Sequence, residues 1–163
     1  MIVEGRAWVF GDQINTDVLA PGYALKLPPK ELAQHCLESI DPEFAKSVKP
    51  GDIVVGGANF GLGSSREQAA ISLAALGVGA VLAKSFARIF YRNAINIGLP
   101  VVTIDLTDQV APGDLLKLDL AAGTLTLMKD GQTRELQPMP AHIIDILAAG
   151  GLMAQLKQKL AAK

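Results

Sequence analysis

The stretch NFGLGSSRE, residues 59 to 67, sets two glycines, two serines, an arginine and a glutamate directly behind the apolar run DIVVGGA. Such groups hold anions: a guanidinium grips an oxyanion through two parallel bonds, and backbone amides at a helix start add a positive dipole end. Phosphate is the first anion to consider, and three phosphate loops fail on detail. The stretch lacks the Gly-Lys-Ser/Thr of a Walker A loop, and Arg66 replaces the third glycine of a dinucleotide fingerprint. The next strand ends in AKS, with no acid for a ribose. The same letters also spell a Ser-x-x-Glu capping box, with Ser64 at the N-cap and Glu67 reaching back to its amide. Capping uses neither the glycines nor the second serine, and an arginine in the first turn opposes the helix dipole. A carboxylate held by Arg66 and the two hydroxyls would offset that charge, so capping and ligand binding can coexist on this loop.

Composition narrows the partners. The chain has 163 residues, enough for one domain whose folding buries roughly two thirds of the unfolded surface. Its 15 Lys and Arg against 16 Asp and Glu give a net charge of −1, which recommends neither nucleic acid nor an anionic membrane. One cysteine, Cys36, and two histidines, His35 and His142, fall short of the ligands that a structural zinc or an iron–sulfur cluster needs. The most apolar stretch, AAISLAALGVGAVLA, runs 15 residues and contains two glycines, too short for a membrane span. A soluble cytoplasmic protein without a metal site of its own is expected.

The elements that must position the loop follow from periodicity and turn chemistry. RAWVF alternates as a strand and runs into the polar loop GDQINTD, which ends in Asp17. APGYALKLPP is too rich in proline for a regular element, whereas PKELAQHCL opens with Pro29 and keeps Leu32, Cys36 and Leu37 on one helical face. The middle reads β-α-β-α-β: IVVGG, REQAAISLAAL, AVLA, FARIFYRNAIN and VVTI. Such runs imply parallel strands, and ligands usually bind in the loops at their carboxyl ends, where GLGSSRE sits. LLKLDL, TLTLM and TRELQ then read as an antiparallel meander, expected as a second, smaller sheet. AHIIDILAAG and LMAQLKQKLAAK close the chain as helices, with Leu152, Leu156 and Leu160 at period four. No linker interrupts the chain, so one domain over residues 1–163 is expected.

Three stretches, GDQINTD, GGANFGLGSSREQAA and AKSFARIFYRNAINIGLP, together with the total length, resemble the small subunits of the 3-isopropylmalate dehydratase family, relatives of aconitase's mobile C-terminal domain. The likeness spans most of residues 5 to 104; the meander and tail agree only in length and order. It implies an α/β fold of the swivelling, three-layer β/β/α kind. It also implies a large subunit that holds a [4Fe–4S] cluster, joined to this chain as a heterodimer or heterotetramer. Together the two would turn 2-isopropylmalate into 3-isopropylmalate, in leucine biosynthesis, by dehydration and rehydration. By the family pattern Ser64 is the base, as an alkoxide, and Asp17 belongs to the same catalytic site. Ser65 and Arg66 hold a substrate carboxylate, and Leu25 and Lys26 meet the variable substituent.

Three positions depart from the family pattern: Gln68 for the usual His, Leu62 for a common Cys, and GYAL for RYL. Gln68 can donate a hydrogen bond but carries no charge. Leu25 favours an apolar branched group, while Lys26 keeps a tricarboxylate or a methylated malate open, as in homoaconitase or citraconate and dimethylmalate dehydratases. A non-catalytic carboxylate-binding module is the other class. Among the remaining residues, Ser85 is expected as the N-cap of the FARIF helix, with Lys84 and Arg88 lending positive potential. His35 and Cys36 are expected as packing or surface residues, Trp8 and Phe10 as core strand residues, and Arg92 and Asn93 on a partly exposed face.

Overall fold

The computed structural model describes residues 1–106 and 108–162. Seven strands form one sheet in the order β4-β3-β2-β1-β5-β6-β7. Strand β1 (Ile2–Val9) serves both halves of it. Its last residues pair in parallel with β2 (Ile53–Val55), Ala7 facing Ile53 and Val9 facing Val55. Its first residues pair antiparallel with β5 (Leu115–Asp119), Val3 facing Leu118. The sheet continues in parallel through β3 (Ala80–Ala83) and β4 (Val101–Thr103) on one side. On the other it continues antiparallel through β6 (Thr124–Leu127) and β7 (Gln132–Glu135). The mixed α/β class is as expected, but the meander is no separate sheet. One strand hands over from one ladder to the other, a feature that period-two alternation cannot express.

The two halves differ in burial for a physical reason. Every residue of β2 and β3 is buried, as strands covered on both faces must be, whereas β5 and β6 alternate between buried and more exposed positions. Helices α4 (Glu67–Ala75) and α5 (Arg88–Asn96) link β2 to β3 and β3 to β4. The chain closes with α6 (Ala141–Ala149) and α7 (Leu152–Ala161). Leu156 and Leu160 of α7 stay exposed, so the period-four leucines do not pack into the core.

Three short helices precede the central units: α1 (Thr16–Leu19), α2 (Pro29–Ala33) and α3 (Phe44–Ser47). The helix expected over PKELAQHCL therefore ends early, at Ala33, and continues as turns. Phe44 of α3 is fully buried, with T-shaped contacts to Trp8 and Phe10 at centroid distances of 5.3 and 5.5 Å. Those two rings are half-buried and line the margin of the core rather than its centre.

Candidate functional site

Loops leaving the carboxyl ends of β1, β2 and β3 lace together through their backbones. Gly57 N–H donates to the Gly11 carbonyl at 3.0 Å, Gln13 N–H to Ala58 at 2.8 Å, Gly61 N–H to Ile14 at 2.7 Å and Thr16 N–H to Leu62 at 2.9 Å. Asp12 Oδ1 accepts the Ala58 N–H at 2.8 Å. On the other flank Phe60 N–H donates to the Ser85 carbonyl at 3.0 Å and Ala87 N–H returns to Phe60 at 2.9 Å. Residues 57–62, which lead into GSSRE, are thus held between two neighbours as an irregular extension of the parallel sheet. Ser85 takes part in this lacing, its Oγ accepting the Asn59 N–H at 2.8 Å. It does not cap α5, whose N-cap is Ala87 and has no side-chain bond.

Two glycines set the path of the loop. Gly61, at φ +83°, lies so close to Phe90 of α5 that a Cβ would overlap that side chain. Gly63, at φ +116°, would bring a Cβ to 2.9 Å from Thr16 Oγ1. Both conformations favour glycine, and together they press the loop between α5 and α1.

The capping box is not formed. Helix α4 begins at Glu67 with Arg66 at its N-cap and no side-chain capping bond. The Arg66 N–H turns back onto the Ser64 carbonyl at 2.8 Å, a three-residue turn that moves Ser64 out of the capping position. Ser64 and Ser65 are exposed. Among the described residues nothing accepts from the amides of Ser64, Ser65, Glu67 or Gln68, or from either serine hydroxyl. The result is an open patch of donors at a helix start.

Arg66 is anchored beside that patch. Its Nη1 donates to Asp17 Oδ1 at 2.8 Å and to the Ala20 carbonyl at 3.0 Å. The Nε and Nη2 hydrogens have no partner among the described residues. They form the edge that matches a carboxylate fork. Asp17 Oδ1 also accepts the Gly22 N–H at 3.2 Å. The hydrogen bond from Arg66, then that from Gly22, holds the Asp17 carboxyl below its ordinary pKa although the group is exposed. Asp17, Ser64, Ser65 and Arg66 therefore fall on one region of the surface.

The substrate-loop pair is placed less directly. Residues Gly22–Ala24 form a 3-10 turn immediately after α1. Leu25 is half-buried against Ala20, Ala24 and Leu32, and Lys26 is exposed. Tyr23 in this turn is 74% exposed, its ring centre 5.5 Å from that of His35 in a T-shaped arrangement. Gln68 is half-buried.

Sequence reading also missed the parts that hold Arg66 from the other side: the Ala20 carbonyl, the Gly22 amide and the cap of α1. The signal for the cap was Asn15, whose Oδ1 accepts the Val18 N–H at 2.9 Å.

Among the described residues no three His, Cys, Asp or Glu side chains meet as metal ligands. Cys36 is fully buried, and desolvation pushes its thiol up to about 12. The described side chains therefore do not assemble a ligand set for an iron–sulfur cluster.

Residues 29–107 match the aconitase C-terminal domain family. The chain is 48% identical over 160 residues to a 3-isopropylmalate dehydratase small subunit of Nautilia profundicola, covering 98% of this chain and 96% of that one. It is 47% identical over 162 residues to an isopropylmalate/citramalate isomerase small subunit of Methanocaldococcus jannaschii, again covering 98% and 96%. Its fold superimposes on the crystal structure of a 3-isopropylmalate dehydratase from the same archaeon with a TM-score of 0.92, at 45% identity, covering 99% of this chain and 97% of that one.

Proposed function

This chain belongs to the family of 3-isopropylmalate dehydratase small subunits, and from that premise we propose that it supplies the proton-transfer and carboxylate-holding half of an isopropylmalate isomerase. As a member of that family it is an enzyme subunit of the aconitase-type hydro-lyases. The observation that carries the finer reading is the open patch itself. Two exposed hydroxyls and four unbonded amides lie beside a guanidinium that is fixed through one nitrogen and free along its other edge.

In this reading the Nε/Nη2 edge of Arg66 and the Ser65 hydroxyl take a substrate carboxylate. Ser64 Oγ removes the proton from the neighbouring carbon and later returns it. An ordinary serine is far too weak a base for this, so its oxyanion must be favoured by the amides at the start of α4 and by Arg66. Asp17 keeps Arg66 in place and offers its second carboxylate oxygen to the site. By the family resemblance the large subunit would hold a [4Fe–4S] cluster, and that group would supply the Lewis-acid chemistry for the departing hydroxyl. The exposure of Ser64 and Ser65 suits a site completed by another surface. Among the described residues no helix is long and apolar enough to cross a membrane. From the family membership, we place the pair in the cytoplasm.

The test is reconstitution of this chain with its large subunit. Ser64→Ala should assemble normally and lose about 10²–10⁴-fold in kcat on isopropylmalate, the usual contribution of a positioned base. Near-normal turnover by that variant removes Ser64 as the base. Turnover by the isolated chain removes the two-subunit reading.

A second substrate reading has its own support in the relative named for citramalate as well as isopropylmalate. Leu25, half-buried at the end of the 3-10 turn, favours an alkyl substituent, and exposed Lys26 could meet a further carboxylate. Assaying isopropylmalate, citraconate, dimethylmalate and homoaconitate side by side decides among them. Leu25→Arg should lower kcat/KM for isopropylmalate relative to the tricarboxylate by roughly 1–3 kcal/mol, the usual worth of one pocket contact. Unchanged ratios would mean that this loop does not meet the substituent.

A further inference from the structure

Arg66 finds both of its protein acceptors on one short segment, Asp17 and the Ala20 carbonyl, so the placement of α1 decides where the guanidinium points. A helix of a single turn cannot satisfy its own last carbonyls. Here three successive ones are met from outside. Val18 accepts from Leu37 N–H at 3.0 Å, Leu19 from Ser72 Oγ at 2.9 Å, and Ala20 from Arg66 Nη1 at 3.0 Å. The first is a backbone bond and the third belongs to the site. The middle one is made by a side chain.

Ser72 is fully buried on the inner face of α4, where its neighbours in sequence, Ala69, Ala70 and Leu73, are apolar and buried too. The same hydroxyl also bonds the Ala69 carbonyl at 3.0 Å, one turn back, so its single hydrogen is shared between a local acceptor and Leu19, the nearer of the two. Cys36 Sγ also lies 3.6 Å from this hydroxyl. We propose that Ser72 is a positioning residue: its buried hydroxyl ties the Leu19 carbonyl to α4 and thereby holds Asp17 and the Ala20 carbonyl where Arg66 meets them. Arg66 and Ser72 then grip α1 from two places on the same helix. Without the hydroxyl, the buried Leu19 carbonyl loses its partner, and α1 shifts to find one, carrying both acceptors of Arg66 with it.

The kinetic consequence rests on the proposed function; the titration of Asp17 does not. Ser72→Ala keeps a strong helix former and should remain folded. In the free chain, carboxyl NMR should show the Asp17 titration moved upward, toward an ordinary aspartate, as its bond to Arg66 loosens. In the reconstituted pair, KM for isopropylmalate should rise several-fold more than kcat falls. A companion variant, Ser72→Thr with Cys36→Ala, keeps the hydroxyl and frees room for the added methyl. It should restore both readings. An unmoved Asp17 titration in folded Ser72→Ala overturns the proposal, and so does a raised one in the threonine variant, which carries the test alone if the alanine variant does not fold. If wild-type pairs fail to act on isopropylmalate while Asp17 responds as described, the substrate reading falls and the positioning role stands.

Discussion

Arg66 has to keep its place and still bind, and the division of its hydrogens between Nη1 and the opposite edge answers that demand. Asp17 depends on the same contact. Its folded pKa is depressed, so the ionised pairing is complete above the unfolded value of about 3.9 and is lost as the pH falls through the lower folded value. Carboxyl NMR should therefore show Asp17 titrating below an ordinary aspartate in the wild type and rising toward one in Arg66→Ala. If the titration does not rise, the Gly22 amide alone sets it. Ser64, Ser65 and Arg66 stand out in the sequence because their hydroxyls and charge exceed what a helix start requires, whereas Asp17, in a separate loop, was singled out only through the family resemblance. The capping role of Ser64 was misread because a tetrapeptide pattern cannot reveal the extra turn at Ser65, where the Arg66 N–H returns to the Ser64 carbonyl. Ser72 was unreadable for a related reason: a serine on an apolar helix face shows no partner until the fold brings Leu19 to it.

At the scale of elements, the long periodic ones were legible and the short ones were not. Helices α4 and α5 and the buried strands between them follow from runs that only such an arrangement can bury, whereas α1 is one turn long and has no period to detect. What places the site is the lacing of loops, and its tightest point is testable. Gly61→Ala combines a left-handed backbone, costing about 1–2 kcal/mol, with an overlap on Phe90 worth about 1–3 kcal/mol more. Gly113→Ala provides the control, since that glycine has a similar φ of +89° with nothing within 4 Å of a Cβ. At roughly 2–4 °C per kcal/mol for a chain of this size, Gly61→Ala should melt several degrees below Gly113→Ala. Equal melting temperatures would show that α5 does not press on the loop.

At the scale of the whole molecule, the question is whether the parallel half and the meander can come apart. We propose that residues 1–163 fold as one domain, because β1 is a full member of both ladders and neither half can shed it without exposing the other. Three probes sample the two sides. Trp8, the only tryptophan, sits on β1 where it pairs with β2, and its Nε1 donates to Asp52 Oδ2 at 3.0 Å, so its fluorescence reports the shared strand. Cys36 reports the packing of α1 and α4, since a thiol that is fully buried and pushed up to about 12 reacts with a disulfide reagent at pH 8 only when that region opens. Leu125 and Leu127 of β6, both buried, report the meander through amide exchange. In a denaturant series, fluorescence and thiol exposure should share one midpoint, and the β6 amides should open with the same free energy as the whole chain. If β6 exchanges through a cheaper opening while Trp8 and Cys36 stay protected, the meander is a separable unit, and β1 is only the seam between two stabilities.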